Sequence, residues 1–284
     1  MQEFICIDET LDIHSTSLYR ISIQISPDGY SFSILDTLQN KHILLKHIPF
    51  FLKWKGELNE KIKEIYEKES ILKEEFLSTT IIYGTSRATL VPPSFISDED
   101  DHLHYFYYNF QPEKNELIAT DAIEECDATV LYAIPKETEA ILLHQFPHAK
   151  IRHHYGAFLD LSAKHPNLKT REAICFAHIG YNHLELAVFK DNQLQFCNQF
   201  YIKSPTDALY FIANTYKVHQ LDAGVVDVIY SGIVDKKSDL FVMSKKYFRN
   251  VFLTGKNPNY QHSYTFNQIP ATYFSTLINQ NQCE

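Results

Sequence analysis

The chain has 284 residues, of which 45% are hydrophobic, so it is long and apolar enough for two compact domains and is not a disordered segment. Its formal net charge of -9, without long runs of Lys or Arg, argues against nucleic acid or an anionic lipid surface as a partner. No run of about 18 apolar residues occurs and the first ten residues carry only acidic charges, which predicts a cytoplasmic protein without a signal peptide or a membrane span.

Alternating apolar residues predict a three-stranded meander in the first part of the chain. Residues 19–25 and 30–34 alternate on either side of a Pro-Asp-Gly turn, and a polar stretch leads into a third antiparallel strand over residues 43–51. Apolar residues at helical spacing then predict an amphipathic helix over residues 58–76 with a charged outer face. A further strand is predicted at residues 79–83.

The middle of the chain is predicted to contain edge strands followed by a β-α-β unit. Residues 90–95 include two prolines and are expected to form an extended edge segment. The acidic stretch 97–101 is predicted to be a loop that leads into an edge strand over the aromatic stretch 102–110. The tyrosine-rich face of this strand is either ordinary surface or a patch for a partner. A buried strand at 129–134, a helix starting at Pro135 and a strand at 149–153 form the β-α-β unit.

The order of elements then repeats about 150 residues later, which indicates an internal duplication. Ser204-Pro205 supplies an N-cap and a first-turn proline for the helix that follows the second meander. The second-half elements are strands at 173–179, 184–188 and 194–202, a helix to residue 216, a strand at 225–230, a helix at 238–247, a strand at 251–254 and a helical segment at 266–279. The predicted domains are therefore residues 1–168 and 169–284.

A duplicated meander, helix and β-α-β plan resembles that of the actin, hexokinase and Hsp70 group. Residues 130–137, Val-Leu-Tyr-Ala-Ile-Pro-Lys-Glu, followed by residues 150–161, are similar to actin-like proteins of pilus assembly and type II secretion. The whole chain also resembles an uncharacterised bacterial family with this fold. The resemblance implies an α/β protein of two ribonuclease H-like domains, each a mixed five-stranded sheet with helices, and an ATP-binding cleft between them.

In this fold, the first hairpin of each half carries an Asp-x-Gly loop that holds magnesium and the ATP phosphates. The first acid is expected near Gln24, which carries no charge, and the following turn contains Pro27, which has no N–H to offer a phosphate. In the second half, His178 takes the place of the acid. The corresponding positions of this chain, which the resemblance makes candidate nucleotide-binding residues, are Ser26, Asp28, Gly29, His178, Gly180, Ser231 and Gly232.

These departures predict a degenerate nucleotide site, and so a non-catalytic pseudo-ATPase scaffold with a protein partner and a tendency to form homodimers. No catalytic residue, metal ligand or cofactor is expected. The first alternative is a divergent ATPase or small-molecule kinase that still holds ATP and magnesium in the cleft. Two others are a metabolite-binding module and a new catalytic group formed by Asp28, His178 and His183 across the cleft.

Histidines and cysteines give no recognisable motif. The 14 histidines include no H-E-x-x-H spacing, and Pro147 lies between His144 and His148, which are four residues apart. The five cysteines show no C-x-x-C spacing, so neither a disulfide framework nor a zinc ribbon is expected.

Overall fold

The computed structural model describes residues 2–52, 54, 56–96 and 101–279. The chain forms an α/β structure with two sheet-containing halves. The strands and helices of the first half are β1 (Phe4–Ile7), β2 (Tyr19–Ser26), β3 (Gly29–Asp36), β4 (Lys41–Pro49), α1 (Glu57–Lys68), β5 (Ser78–Tyr83), β6 (Ala88–Val91), α2 (Asp101–Asn109), β7 (Glu116–Ile123), β8 (Ala128–Pro135), α3 (Lys136–Gln145), β9 (Lys150–His153) and α4 (His154–Ala163).

The first meander forms the centre of the larger sheet. Strand β2 pairs with β3 in antiparallel register, placing Ile23 opposite Phe32, and with β5 in parallel. Both of these side chains are fully buried, which explains why the alternation in the sequence identified these strands. The sheet order is β1-β4-β3-β2-β5-β9.

The second half repeats this arrangement. Its elements are β10 (Ala173–Ile179), β11 (His183–Lys190), β12 (Gln193–Tyr201), α5 (Pro205–Val218), β13 (Asp227–Gly232), α6 (Asp239–Ser244), β14 (Val251–Leu253), β15 (Gln261–His262) and α7 (Ser275–Ile278). Its sheet order β12-β11-β10-β13-β14 matches β4-β3-β2-β5-β9, a meander followed by two parallel strands. The predicted duplicated fold is confirmed, except that β1 and β15 extend the first of the two predicted five-stranded sheets to seven strands.

The predicted β-α-β unit is wrong, because its two strands belong to different sheets. Strand β8 lies between β6 and β7 in a separate three-stranded antiparallel sheet. Helix α3 then leads to β9, which pairs in parallel with β5 of the larger sheet. The three-stranded sheet is therefore an insertion between two neighbouring strands of the first half.

The predicted edge strand at residues 102–110 is also wrong, since Asp101–Asn109 form helix α2. Leu103, Phe106, Tyr107 and Phe110 recur at helical spacing and pack together with the inserted sheet. This spacing of three and four residues fixes the helix, and the alternation of aromatic residues only imitated a strand. Of the predicted loop at residues 97–101, Asp101 begins α2 and residues 97–100 lie outside the described residues.

The end of the chain returns to the first half. Strand β15 pairs with β4, and α7 is a single turn where a longer helix over residues 266–279 was predicted. Phe274, at the N-cap of α7, has a left-handed backbone with φ of 56°, which interrupts the helix. Phe266 and Leu277 pack against Leu45 of the first sheet. The boundary between residues 168 and 169 stays a prediction.

Candidate functional site

A cleft between the two halves encloses a cavity of about 420 Å³. Five of the predicted residues line it: Ser26, Asp28, His178, Gly180 and Gly232. The other two, Gly29 and Ser231, are neighbours of these residues and are not among those that line the cavity. The structure thus brings the loops of both halves together at one place.

The first-half turn is closed by its own hydrogen bonds. Ser26 Oγ donates to Asp28 Oδ1 at 2.7 Å and lies 3.3 Å from the Gly29 carbonyl oxygen. Ser26 and Gly29 are paired at the ends of β2 and β3, so the turn between them consists of Pro27 and Asp28. Because proline has no backbone N–H, this turn offers fewer donors to a phosphate than a glycine-rich loop would.

The second-half turn is also closed. The Gly180 N–H donates to the His183 carbonyl oxygen at 2.9 Å. The imidazole of His183 lies directly over Gly180, since a Cβ added to Gly180 would be 1.9 Å from His183 Cε1. The side chain of His183 therefore covers the glycine at which the fold would place a phosphate.

The third loop is held by residues 261–279, which are called the closing segment below. The Gly232 N–H donates to the Thr272 carbonyl oxygen at 3.0 Å. Gly232 has a φ of 81°, and a Cβ there would be 2.2 Å from the Ile179 carbonyl oxygen, so only glycine fits this position. Its backbone donor is already paired and is not free for a ligand.

A buried group of histidines lies against the cavity. His154 begins α4 in the first half, His178 is the penultimate residue of β10, and His183 begins β11. The rings of His154 and His178 have centroids 4.6 Å apart, and one ring nitrogen from each of the three histidines lies within 4.8 Å of the others. These three residues are called the histidine cluster below.

Two side chains orient the histidine cluster. His154 Nδ1 lies 3.0 Å from both carboxylate oxygens of Glu185, and His178 Nδ1 lies 2.9 Å from Ser231 Oγ. On the other side of the His154 ring, Nε2 is 3.3 Å from Thr276 Oγ1 of the closing segment. Residues of both halves and of the chain end therefore meet in this cluster.

The electrostatics of the cluster follow from its burial. Burial favours the neutral form of Glu185, but the imidazole of His154 outweighs this and lowers the pKa of Glu185 to about 2. Burial likewise works against the charged form of His154, yet Glu185 raises its pKa. For His178 and His183, burial lowers the pKa, and the charge on His154 lowers it further. Glu185 and His154 thus form a buried ion pair beside two neutral imidazoles.

Sequence reasoning missed Glu185 and Thr276 as residues of the site. The sequence does carry a signal for Glu185, because this residue is a carboxylate within a strand whose other central residues are apolar. The predicted alternative group is only partly assembled. His178 and His183 have ring centroids 6.4 Å apart and Asp28 lines the same cavity, but among the described residues no hydrogen bond joins Asp28 to either ring.

The remaining sequence features lie elsewhere or carry no site. His144 and His148 are exposed on and after α3, and the four cysteines in the described part of the chain are free thiols. Cys283 lies outside the described residues. Within residues 2–52, 54, 56–96 and 101–279, no helix is long and apolar enough to cross a membrane.

The two matching sheets and the cleft between them define an actin-like ATPase fold, as the sequence predicted. A protein of unknown function with this fold from Bacteroides thetaiotaomicron VPI-5482 is similar, with a TM-score of 0.74 and 20% identity over 86% of this chain and 94% of that chain. A chain of a PilM-PilN type IV pilus biogenesis complex gives a TM-score of 0.60 and 10% identity over 91% of this chain and 96% of that chain.

The family is shown by a match over residues 8–251. The chain belongs to the DUF3822 family, described as proteins of unknown function. None of the curated proteins compared with the chain matches it. The predicted resemblance to an uncharacterised actin-like family, and to pilus-assembly proteins in fold, is confirmed.

Proposed function

We propose that this protein is a non-catalytic member of the actin-like fold, a scaffold that binds a protein partner and no longer binds magnesium-ATP. One observation carries the proposal: the loops that hold phosphates in this fold have their donors removed or paired. Pro27 has no N–H, the Gly180 N–H bonds to His183, and the Gly232 N–H bonds to Thr272. A triphosphate could bind the Gly180 and Gly232 N–H groups only by breaking these two hydrogen bonds. No gain in electrostatic attraction would compensate for their loss.

The side chains at the expected metal-binding positions also do not suit magnesium. Magnesium prefers carboxylates, phosphates and water in an octahedral arrangement. Gln24 is uncharged and its Oε1 accepts a hydrogen bond from Thr276 Oγ1 at 3.3 Å, while His178 presents a neutral imidazole. Asp28 is the remaining predicted acid, and one of its oxygens accepts the Ser26 hydroxyl hydrogen bond. The residues present therefore do not fit a magnesium-ATP site.

Exposed aromatic side chains at the mouth of the cleft support a protein partner. Phe51 of the first half and Tyr181 of the second have ring centroids 5.4 Å apart, and they are 60% and 48% exposed. Tyr201, 65% exposed, lines the same opening. Aromatic residues are enriched at the centres of protein interfaces. The similar fold in the PilM-PilN complex shows that a protein of this architecture can assemble with another protein.

Thermal unfolding with and without magnesium-ATP tests the loss of nucleotide binding. A ligand at about 100 times its dissociation constant adds roughly 2.7 kcal/mol of stability, which is several degrees for a chain of this size. We expect no shift at millimolar nucleotide. A magnesium-dependent shift that disappears in Asp28→Asn would contradict the proposal and favour the alternative of a divergent ATPase or kinase.

Crosslinking in cells of origin tests the partner surface. We expect Phe51→Ala and Tyr181→Ala each to abolish crosslinking to one defined protein, because each substitution removes an aromatic ring from the mouth of the cleft. Tyr210→Ala is the matched control, since Tyr210 is an exposed aromatic residue on α5, 64% accessible and outside the cleft lining. Equal crosslinking by the cleft-mouth variants and the wild type would argue against this surface.

A further inference from the structure

The histidine cluster has the composition of a transition-metal site. His154 comes from the first half of the fold, and His178 and His183 come from the second. Zinc lies about 2.0–2.1 Å from each histidine nitrogen in a tetrahedral site, so ligating nitrogens are about 3.3 Å apart. The three nitrogens here lie within 4.8 Å of one another. Small side-chain rotations would bring them to ligating distance.

Each of the two most buried imidazoles is held through Nδ1, so Nε2 is the nitrogen that would reach a metal ion. Glu185 contacts Nδ1 of His154, and Ser231 contacts Nδ1 of His178. Metal-ligating histidines characteristically bond their second ring nitrogen to a carboxylate or another polar group, which fixes the tautomer and the ring orientation. The Nε2 atom of His154 lies 3.3 Å from the Thr276 hydroxyl oxygen, and a metal ion would replace the Nε2 proton and this hydrogen bond.

We propose that His154, His178 and His183 bind one divalent transition-metal ion of the zinc class, with Glu185 and Ser231 as positioning residues. Imidazole nitrogens suit zinc and its neighbours, whereas magnesium and calcium select oxygen ligands. All three histidines line the cavity, so a fourth ligand would come from the cavity side. The ion would link the two halves across the cleft. Zinc and magnesium-ATP binding are separate measurements, so either proposal can fail alone.

The first test titrates zinc chloride into the chelator-treated full chain and measures heat and stoichiometry. We expect one ion per chain and a loss of affinity of at least about 100-fold in His183→Ala, because a ligand is removed. The matched control is the double variant His144→Ala and His148→Ala, which removes two exposed histidines at which zinc could bind adventitiously. Circular dichroism establishes that each variant is folded.

Cobalt substitution and Glu185→Gln provide readouts that do not depend on removing a ligand. Cobalt(II) in the wild-type chain should show the intense visible absorption of four-coordinate nitrogen ligation. Glu185→Gln keeps the size of the side chain but loses its charge, and we expect 10- to 100-fold weaker zinc binding. The proposal is overturned by the weak spectrum of hydrated cobalt, by unchanged affinity in His183→Ala, or by binding lost only in the His144 and His148 variant.

Discussion

At the scale of single residues, the cleft is dominated by buried polar side chains that hold one another. The Glu185 and His154 pair is the clearest case, because both groups are buried and each sets the charge of the other. Removing one partner of a buried ion pair leaves an uncompensated charge, whereas replacing both with apolar groups is often nearly neutral. The pair therefore stabilises the packing of α4 against β11 only when both charged side chains are present.

We expect Glu185→Leu to lower the free energy of unfolding by about 3–5 kcal/mol in chelator-treated protein. The double variant Glu185→Leu with His154→Leu should recover most of this loss, because no buried charge is left unpaired. Urea unfolding of Glu185→Leu, of His154→Leu and of the double variant measures the coupling between the two residues. Additive losses would show that the two side chains do not stabilise each other.

A second prediction concerns His42, which lies on β4 away from the cleft. Burial, together with the nearby His262, lowers the pKa of His42 to about 3, below its value of about 6.5 in an unfolded chain. Only the unfolded chain gains this proton between pH 6.5 and 3, so stability should fall as the pH falls through that range. Ser33 Oγ is hydrogen-bonded to His42 Nδ1. In His42→Asn, the side-chain amide takes the place of Nδ1 and can keep this hydrogen bond.

Between pH 7 and pH 5, we expect the wild type to lose up to about 2 kcal/mol more than His42→Asn. Urea unfolding at the two pH values measures the difference. The same loss in both proteins would mean that His42 is already protonated in the folded state or that it does not contribute.

At the scale of elements, the closing segment contacts residues that line the cleft. Strand β15 pairs with β4, Thr272 accepts the Gly232 N–H, and Thr276 contacts His154. Leu277 anchors this segment in the core of the first half and is fully buried. The closing segment thus contacts both halves, although its helix α7 is only one turn long.

We expect Leu277→Ala to lower the free energy of unfolding by about 2–5 kcal/mol, because it leaves a cavity beneath the closing segment. Leu38→Ala is the matched control, since Leu38 is 76% exposed in the turn after β3 and should change stability by less than about 0.5 kcal/mol. Chemical denaturation of both variants measures the difference. Similar small effects would show that the segment is not anchored by Leu277.

The sequence predicted elements well where local signals decide them. The Ser204 and Pro205 signal identified α5, and Ser204 and Asp207 indeed form a reciprocal capping box. At α2 the alternation of aromatic residues gave a wrong strand prediction, although Leu103, Phe106, Tyr107 and Phe110 also recur at helical spacing. Pairing between distant strands, such as β5 with β9 across the inserted sheet, leaves no local signal.

At the scale of the whole molecule, the duplication could be predicted, but the way its parts meet could not. Matching element orders in the two halves predicted the two similar sheets, and the resemblance to actin-like proteins implied the cleft between them. Convergence of His154 with His178, His183 and Glu185 depends on how the halves pack, and no spacing in the sequence expresses it. The closing segment crosses back to the first half for the same reason.

The central claim is that this actin-like cleft no longer takes magnesium-ATP, and calorimetric titration tests it most directly. Magnesium-ATP is titrated into the chelator-treated wild-type chain and into Asp28→Asn, with nucleotide in the millimolar range. We predict no saturable heat in either protein, because the loop donors at Gly180 and Gly232 are paired and neither Gln24 nor His178 supplies an acid. Saturable, magnesium-dependent binding that Asp28→Asn abolishes would contradict the account.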